Sequence, residues 1–186
     1  MTILITGATG LVGKHLVSQL LQEGHVIHYL TTRKSALNKL PGCKGFYWNP
    51  GMGEMDISCF EGVSKIVHLA GATVSQRWNT TNKKIILESR TASAQLLYDT
   101  VKKGNYNIKQ FISASGISIY KSSLTQTYTE KSELFDDGFL GKVVKQWEAK
   151  ADRFNELGIE VAKVRTGVVF AREYSALQKI AKPIQM

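Results

Sequence analysis

The chain holds only two cysteines in 186 residues, too few for a disulfide framework. Cys43 and Cys59 are also spaced like no metal motif, so no metal site is expected. Two reduced thiols suit a cytoplasmic protein. No apolar run approaches the roughly 20 residues of a membrane span. The first residues lack the basic start, apolar stretch and small-residue cleavage site of a secretory leader. Acidic residues are in deficit: 24 Lys and Arg face 15 Asp and Glu, for a net charge of +9. The excess is dispersed, with doublets at Arg33-Lys34, Lys83-Lys84 and Lys102-Lys103 and no longer run. No nucleic-acid motif accompanies it, and an anionic small molecule accounts for it as well. A small-molecule partner is therefore expected, and neither nucleic acid nor membrane. Nothing in the composition specifies an oligomeric state.

Hydrophobic residues make up 43%, enough for one substantial core. Short β-branched runs alternate with helical stretches. Thr2–Ile5, Val26–Leu30, Gly45–Trp48, Ile66–Leu69, Gln110–Ser113 and Ile159–Val164 read as strands. Val12, Leu16, Leu20 and Leu21 form a helical stripe that Gly24 can end. Ile85, Ser89, Ala92 and Leu96 form a second face, with Leu97 and Val101 beside it and Gly104 as the stop. Leu140, Val144, Trp147, Ala151 and Phe154 form a third, closed by Gly158. Strands separated by helices of crossover length pair in parallel, with helices on both faces. The expected fold is α/β, a doubly wound parallel sheet that binds ligands at the carboxyl ends of its strands.

Thr6-Gly7-Ala8-Thr9-Gly10-Leu11-Val12-Gly13 follows the first strand and opens the first helix, the context of a dinucleotide-binding turn. Gly7 permits a tight turn, Gly10 lets backbone approach a pyrophosphate, and Gly13 permits close packing of helix on strand. The free N–H groups and positive end of the helix suit phosphates. An NAD site places Asp or Glu about 20 residues on, at the end of the second strand. Here no acidic residue lies between Glu23 and Glu54, and the strand runs into Thr32-Arg33-Lys34. A guanidinium at that point suits the 2′-phosphate of NADP(H).

With that turn, His68-Leu69-Ala70-Gly71, Arg77-Trp78, Ser89-Arg90, Ile112-Ser113-Ala114-Ser115, Trp147-Glu148-Ala149 and Arg165-Thr166-Gly167-Val168-Val169 fall in order. The set resembles the nucleoside-diphosphate-sugar-epimerase-like family of atypical, extended short-chain dehydrogenase/reductases, along the whole chain. The resemblance implies an NAD(P)-binding Rossmann domain over residues 1–170. It implies that 171–186 begins a substrate-binding part, most of which is absent. It places the cofactor against Gly7, Thr9, Gly10, Leu11, Val12, Gly13, Thr32, Arg33, Lys34, Leu69, Ala70, Gly71, Ser113, Gly167 and Val168. Arg90, where extended relatives carry Asn, is expected to reach the pyrophosphate or an anionic substrate.

Catalytic members of this superfamily use Ser or Thr with a Tyr-x-x-x-Lys pair, in which the Tyr moves the proton and the Lys depresses its pKa. Ser115 matches the Ser. A register anchored on Glu148 puts apolar Leu140 and Val144 at the Tyr and Lys positions. The expected acid–base pair is therefore read as missing from the whole chain, and Ser115 and Tyr120 are the candidate catalytic hydroxyls. Lys142 and Lys145 read as solvated, Trp78 as a pocket wall and His68 as a satisfied core histidine. Three readings stay open: an NADP(H)-dependent oxidoreductase or epimerase-like enzyme, a non-catalytic NADP(H)-binding regulator or scaffold, and, resting only on the charge, a structural or nucleic-acid-associated role.

Overall fold

Strand β1 (Thr2–Thr6) shows how the sandwich is built, because its alternate side chains enter different cores. Ile3 and Ile5 join Val17, Ile27, Tyr29 and Val67 on one face of the sheet. Leu4 joins Leu97, Phe111 and Phe154 on the other. Each such side chain, once fully buried, contributes roughly 1.5–3 kcal/mol. A computed structural model of the chain describes residues 1–171. The expected substrate part at 171–186 lies, but for its first residue, outside the described residues.

In chain order the elements are β1, α1 (Leu11–Gln22), β2 (Val26–Thr31), β3 (Cys43–Asn49), β4 (Glu54–Met55), β5 (Val63–His68), α2 (Thr80–Gly104), β6 (Gln110–Gly116), α3 (Phe139–Asp152) and β7 (Glu160–Thr166). They form one seven-stranded sheet in the order β4-β3-β2-β1-β5-β6-β7. Helix α1 covers one face, and α2 and α3 cover the other. The parallel part has the doubly wound order of a Rossmann fold, with its switch point between β1 and β5. The expected fold class stands, apart from one antiparallel strand. β4 pairs antiparallel with β3, because the four residues between them make a hairpin and not a crossover.

Three local expectations need correcting. Val12 is 44% exposed, since the first turn of α1 overhangs the strand ends; Gly13 and Val17 are the buried positions. On α2 the buried line is Ile86, Ser93, Leu97 and Val101, one residue on from the expected face, and Ile85 is exposed. A polar residue, Ser93, disguises that line. Gly104 lies inside α2, and the left-handed residue that ends the helix is Asn105, with φ 48°. Gly104 is needed for packing, because a Cβ there would collide with the Tyr106 ring. Gly158 closes the turn after α3 as expected, with φ 71°.

Candidate functional site

The glycine turn divides its labour. Gly7 has φ 70°, and a Cβ on it would lie 2.7 Å from the Leu69 carbonyl carbon. A Cβ on Gly13 would strike the Gly7 carbonyl oxygen. Both glycines are therefore dictated by packing. Gly10 differs: its Cβ would approach only the Gly7 oxygen, at 3.2 Å. Its other side is open to a cavity of about 990 Å³. No side chain caps α1, and its first turn carries no acid. The N–H groups of that turn stay available to an anion at the helix's positive end.

The cavity runs along the carboxyl ends of the strands, where a doubly wound sheet binds ligands. Gly7, Thr9 and Gly10 line it from the turn after β1, Thr31, Thr32 and Arg33 from β2, and Leu69, Ala70 and Gly71 from β5. Arg33 is positioned by a loop built on Tyr29. The Tyr29 hydroxyl shares its one proton between the Ala36 and Leu37 carbonyls, both at 2.7 Å, and accepts from Lys39 N at 3.1 Å. The Arg33 N–H donates to Thr31 Oγ1 at 3.2 Å. Lys34 sits 5.2 Å from the centre of the Tyr47 ring and does not line the cavity. The lining also holds Trp48–Gly51 from the β3–β4 turn, and Glu88, Gln95 and Lys150 from α2 and α3. Sequence reading missed these, because a turn between short strands and polar residues on a helix look like ordinary surface.

Behind the cavity Thr6 clasps β1 to β5. Its Oγ1 accepts from Leu69 N and Ala70 N, both at 3.1 Å. The Thr6 proton is left for His68 Nδ1, 2.8 Å away. That assigns the imidazole proton to Nε2, which faces Ser93 Oγ at 3.2 Å. His68 is wholly buried and neutral, and burial pushes its pKa down to about 4. It is the satisfied core histidine expected.

The two candidate hydroxyls belong to one ion-pair chain. Ser115 is 3% exposed and donates to Glu148 Oε1 at 2.5 Å. Arg165 grips both Glu148 oxygens, each at 2.8 Å. It also donates to the Tyr120 hydroxyl at 2.5 Å, which in turn donates to the Thr129 carbonyl at 2.8 Å. Burial alone would raise the Glu148 carboxyl, but hydrogen bonds from Arg165 and Ser115 hold it below the usual carboxylate range. The same pairing holds Arg165 further above its ordinary value. Neither Ser115 nor Tyr120 lines the cavity. The ladder explains the meeting, since β6 pairs Ser115 with Arg165 of β7. Trp147-Glu148 and Arg165-Thr166 each stood out in sequence, but nothing local pairs them.

Leu140 and Val144 sit on α3, and Val144 is buried. The Tyr-x-x-x-Lys spacing is not missing from the whole chain, however: Tyr98 and Lys102 have it on α2. That pair lies elsewhere. Tyr98 is buried against Phe154, its hydroxyl donates to Glu156 at 2.7 Å, and it does not line the cavity. Ser113 is buried and bonds the Ala114 carbonyl. Gly167 lies near Ile117, and Val168 is exposed. Trp78 is 44% exposed and packs edge-on against Phe139. Lys145 pairs with exposed Asp137. Arg90 is half-buried between α2 and α3; it does not line the cavity, but its neighbours Gly71 and Ser89 do.

Glycine turn, uncapped helix and strand order together describe a dinucleotide site, and the family comparison agrees. Residues 3–137 match the model of the NAD dependent epimerase/dehydratase family. The chain belongs to that family. An epimerase family protein of Staphylococcus aureus is 32% identical over 182 residues, 98% of this chain and 60% of the relative. The structure resembles human epimerase family protein SDR39U1 (isoform 2), solved with NADPH, with TM-score 0.79 and 28% identity. That match covers 100% of this chain and 60% of the human one. It also resembles the nucleoside-diphosphate sugar epimerase from Corynebacterium glutamicum, with TM-score 0.81 and 30% identity. There the match covers 100% of this chain and 38% of the other. The chain thus spans about 60% of the length of the curated relative. Among the described residues no helix is long and apolar enough to cross a membrane, and no group of His, Cys, Asp and Glu could hold a metal ion.

Proposed function

We propose that the chain binds NADP(H) and supports hydride chemistry on a small carbonyl or sugar-nucleotide substrate, as an epimerase-like oxidoreductase of the short-chain dehydrogenase/reductase superfamily. One observation carries the reading. Thr32 and Arg33 line the cavity at the end of β2, and no carboxylate stands at that strand end to accept from a ribose hydroxyl. The family description names NAD and the human relative was solved with NADPH, so the choice rests on Arg33.

The residues present fit such a cofactor, since Gly10 leaves open the space a Cβ would fill. The N–H groups of Leu11, Val12 and Gly13 and the dipole of α1 would hold the pyrophosphate, with Thr9 beside them. Thr32 and Arg33 would hold the 2′-phosphate, while Lys34, turned to Tyr47 outside the cavity lining, would add only its charge nearby. Leu69, Ala70 and Gly71 would flank the cofactor's middle, and Ser113, Gly167 and Val168 its nicotinamide end. When bound, the nicotinamide gives or takes a hydride. Ser115 spends its proton on Glu148, so it offers a substrate only lone pairs and would orient a hydroxyl by accepting from it. Tyr120 is the second hydroxyl, held in place by Arg165. Residues 1–170 form the NAD(P)-binding domain in this reading, and 171–186 begins the substrate part. The free thiols of Cys43 and Cys59 accord with a cytoplasmic setting.

A second reading has a specific observation behind it. Leu140 and Val144 are apolar where a Tyr and Lys would work, and both candidate hydroxyls are already bonded. That suits a protein that holds NADP(H) without turning it over. A single-turnover assay separates the two. NADPH-loaded protein is mixed with a panel of carbonyl compounds and the loss of NADPH absorbance is followed. The enzyme reading expects slow turnover that falls about 10²-fold in Ser115→Ala, the low end for acid–base and orienting groups. Tight NADPH binding with no turnover on any compound would favour the holder.

A further inference from the structure

Arg90 is a cation inside the fold that has been given no anion. Its guanidinium lies 5.1 Å from the centre of the Trp147 ring, between α2 and α3. All of its hydrogen bonds come from one nitrogen, Nη1. They go to the carbonyls of Ile86 at 2.8 Å and Ala72 at 3.1 Å, and to Ser89 Oγ at 3.5 Å. Among the described residues no carboxylate pairs with it and Nε and Nη2 make no hydrogen bond; they are not among the buried unpartnered atoms, so that edge of the guanidinium is open to solvent. Burial lowers its pKa, as for a charge whose lost hydration is not repaid. A half-buried cation with no counter-ion offers a place for an anion.

A second unpartnered donor belongs to the ring beneath the guanidinium. Trp147 is 7% exposed, and its indole N–H is the single buried side-chain polar atom without a partner among the described residues. Buried polar groups are nearly always bonded, and an exception calls for a ligand or an ion. A Cβ on Gly71 would land 3.1 Å from Arg90 Cζ and 3.2 Å from Nη2, so the Gly71 backbone packs beside the guanidinium with no side chain between them. Gly71 follows β5, and Trp147 is on the helix whose Val144 abuts Gly116 at the end of β6. The pair therefore sits over β5 and β6. Arg33 follows β2, on the other side of β1; neither Arg90 nor Trp147 lines the cavity that holds Arg33, although Gly71 and Ser89 beside Arg90 do, so the anion would sit next to the cofactor's middle.

We infer that Arg90 and Trp147 form an oxyanion subsite on the substrate side of the cleft, built for a carboxylate or phosphate group carried by the substrate. The Nε–Nη2 edge of a guanidinium presents two parallel N–H groups, which match two oxygens of either anion. The indole N–H supplies a third donor. The cofactor's pyrophosphate is served already by the uncapped turn of α1 over β1. The substrate of this fold is accordingly an acid or a phosphate ester, and Arg90 selects it. This rests on reading the cleft as a dinucleotide site.

The test reads Trp147 directly. The indole N–H resonance of ¹⁵N-labelled protein, identified by its loss in Trp147→Phe, is followed while acetate or inorganic phosphate is added. Sodium chloride serves as the ionic-strength control, and each titration is run with and without NADP⁺. A saturable shift beyond the chloride control is expected. Arg90→Gln should weaken it about tenfold to a hundredfold, as for a lost charge-assisted pair. Arg90→Lys, which keeps the charge without the fork, should lose less and guards against a variant that fails to fold. No saturable shift, or an equal shift in Arg90→Gln, overturns the inference. So does a shift produced by NADP⁺ alone that neither acid can add to, which would give the site to the pyrophosphate. Failure of the wild type to bind NADP⁺ would sink the dinucleotide reading and leave the anion result standing by itself.

Discussion

Acid should destabilise this protein through His68 before it reaches the carboxylates. The imidazole has an ordinary pKa of 6.5, and burial lowers it to about 4 in the fold. Between those values the unfolded chain binds a proton that the folded chain refuses, so stability rises with pH across the window. The contribution is complete above pH 6.5 and is lost as pH falls toward 4. The two pKa values give a loss of about 2 kcal/mol by pH 5 and about 3 kcal/mol by pH 4. That is a large share of the roughly 5–15 kcal/mol that holds a domain folded. Protonation also strips Nδ1 of the lone pair that accepts from Thr6, the residue that fixes the N–H groups of Leu69 and Ala70. Urea denaturation of wild type and His68→Gln at pH 7.5, 6, 5 and 4 isolates the effect. The variant should start less stable and lose less on acidification, so that the two curves converge. Parallel curves would refute the argument.

Gly10→Val should abolish NADPH binding while the far-ultraviolet circular dichroism stays unchanged, because its side chain would enter the cavity; a folded variant that still binds would reduce the loop to a turn. Gly13→Ala should instead lower the melting temperature, since its Cβ strikes the Gly7 carbonyl; an unchanged melt would contradict that packing. Glu148→Ala removes one half of a mostly buried ion pair and should cost about 3 kcal/mol in denaturant titrations, with a loss under about 1 kcal/mol counting against it.

Much of the fold is legible because the sheet repeats one device. Ile3, Leu4 and Ile5 are β-branched or apolar and alternate between two cores, and the runs at Val26, Ile66, Gln110 and Ile159 repeat the signal. The glycine turn is legible for the same local reason: φ, spacing and the following helix are written in eight consecutive residues. What escapes is set by partners distant in sequence. Ser93 looks like a break in the stripe of α2 until His68, 25 residues earlier, supplies its bond. Glu148 and Arg165 look like separate motifs until β6 and β7 pair. Ser115 keeps its place at the end of β6, but its proton points to Glu148, which no spacing rule foretells. The β3–β4 hairpin turns through Pro50-Gly51-Met52-Gly53, which reads as an ordinary loop, and so its place along the cavity is unreadable from pattern.

The central claim is that the cleft selects the 2′-phosphate through Arg33, and isothermal calorimetry of NADPH and NADH on wild type and Arg33→Ala tests it most directly. Wild type should prefer NADPH. The variant should lose about 1.5–3 kcal/mol for NADPH, roughly tenfold to a hundredfold, as for a hydrogen bond to a charged group. Its affinity for NADH should stay nearly unchanged. Equal affinities in the wild type, or an equal loss for both cofactors in Arg33→Ala, would contradict the account.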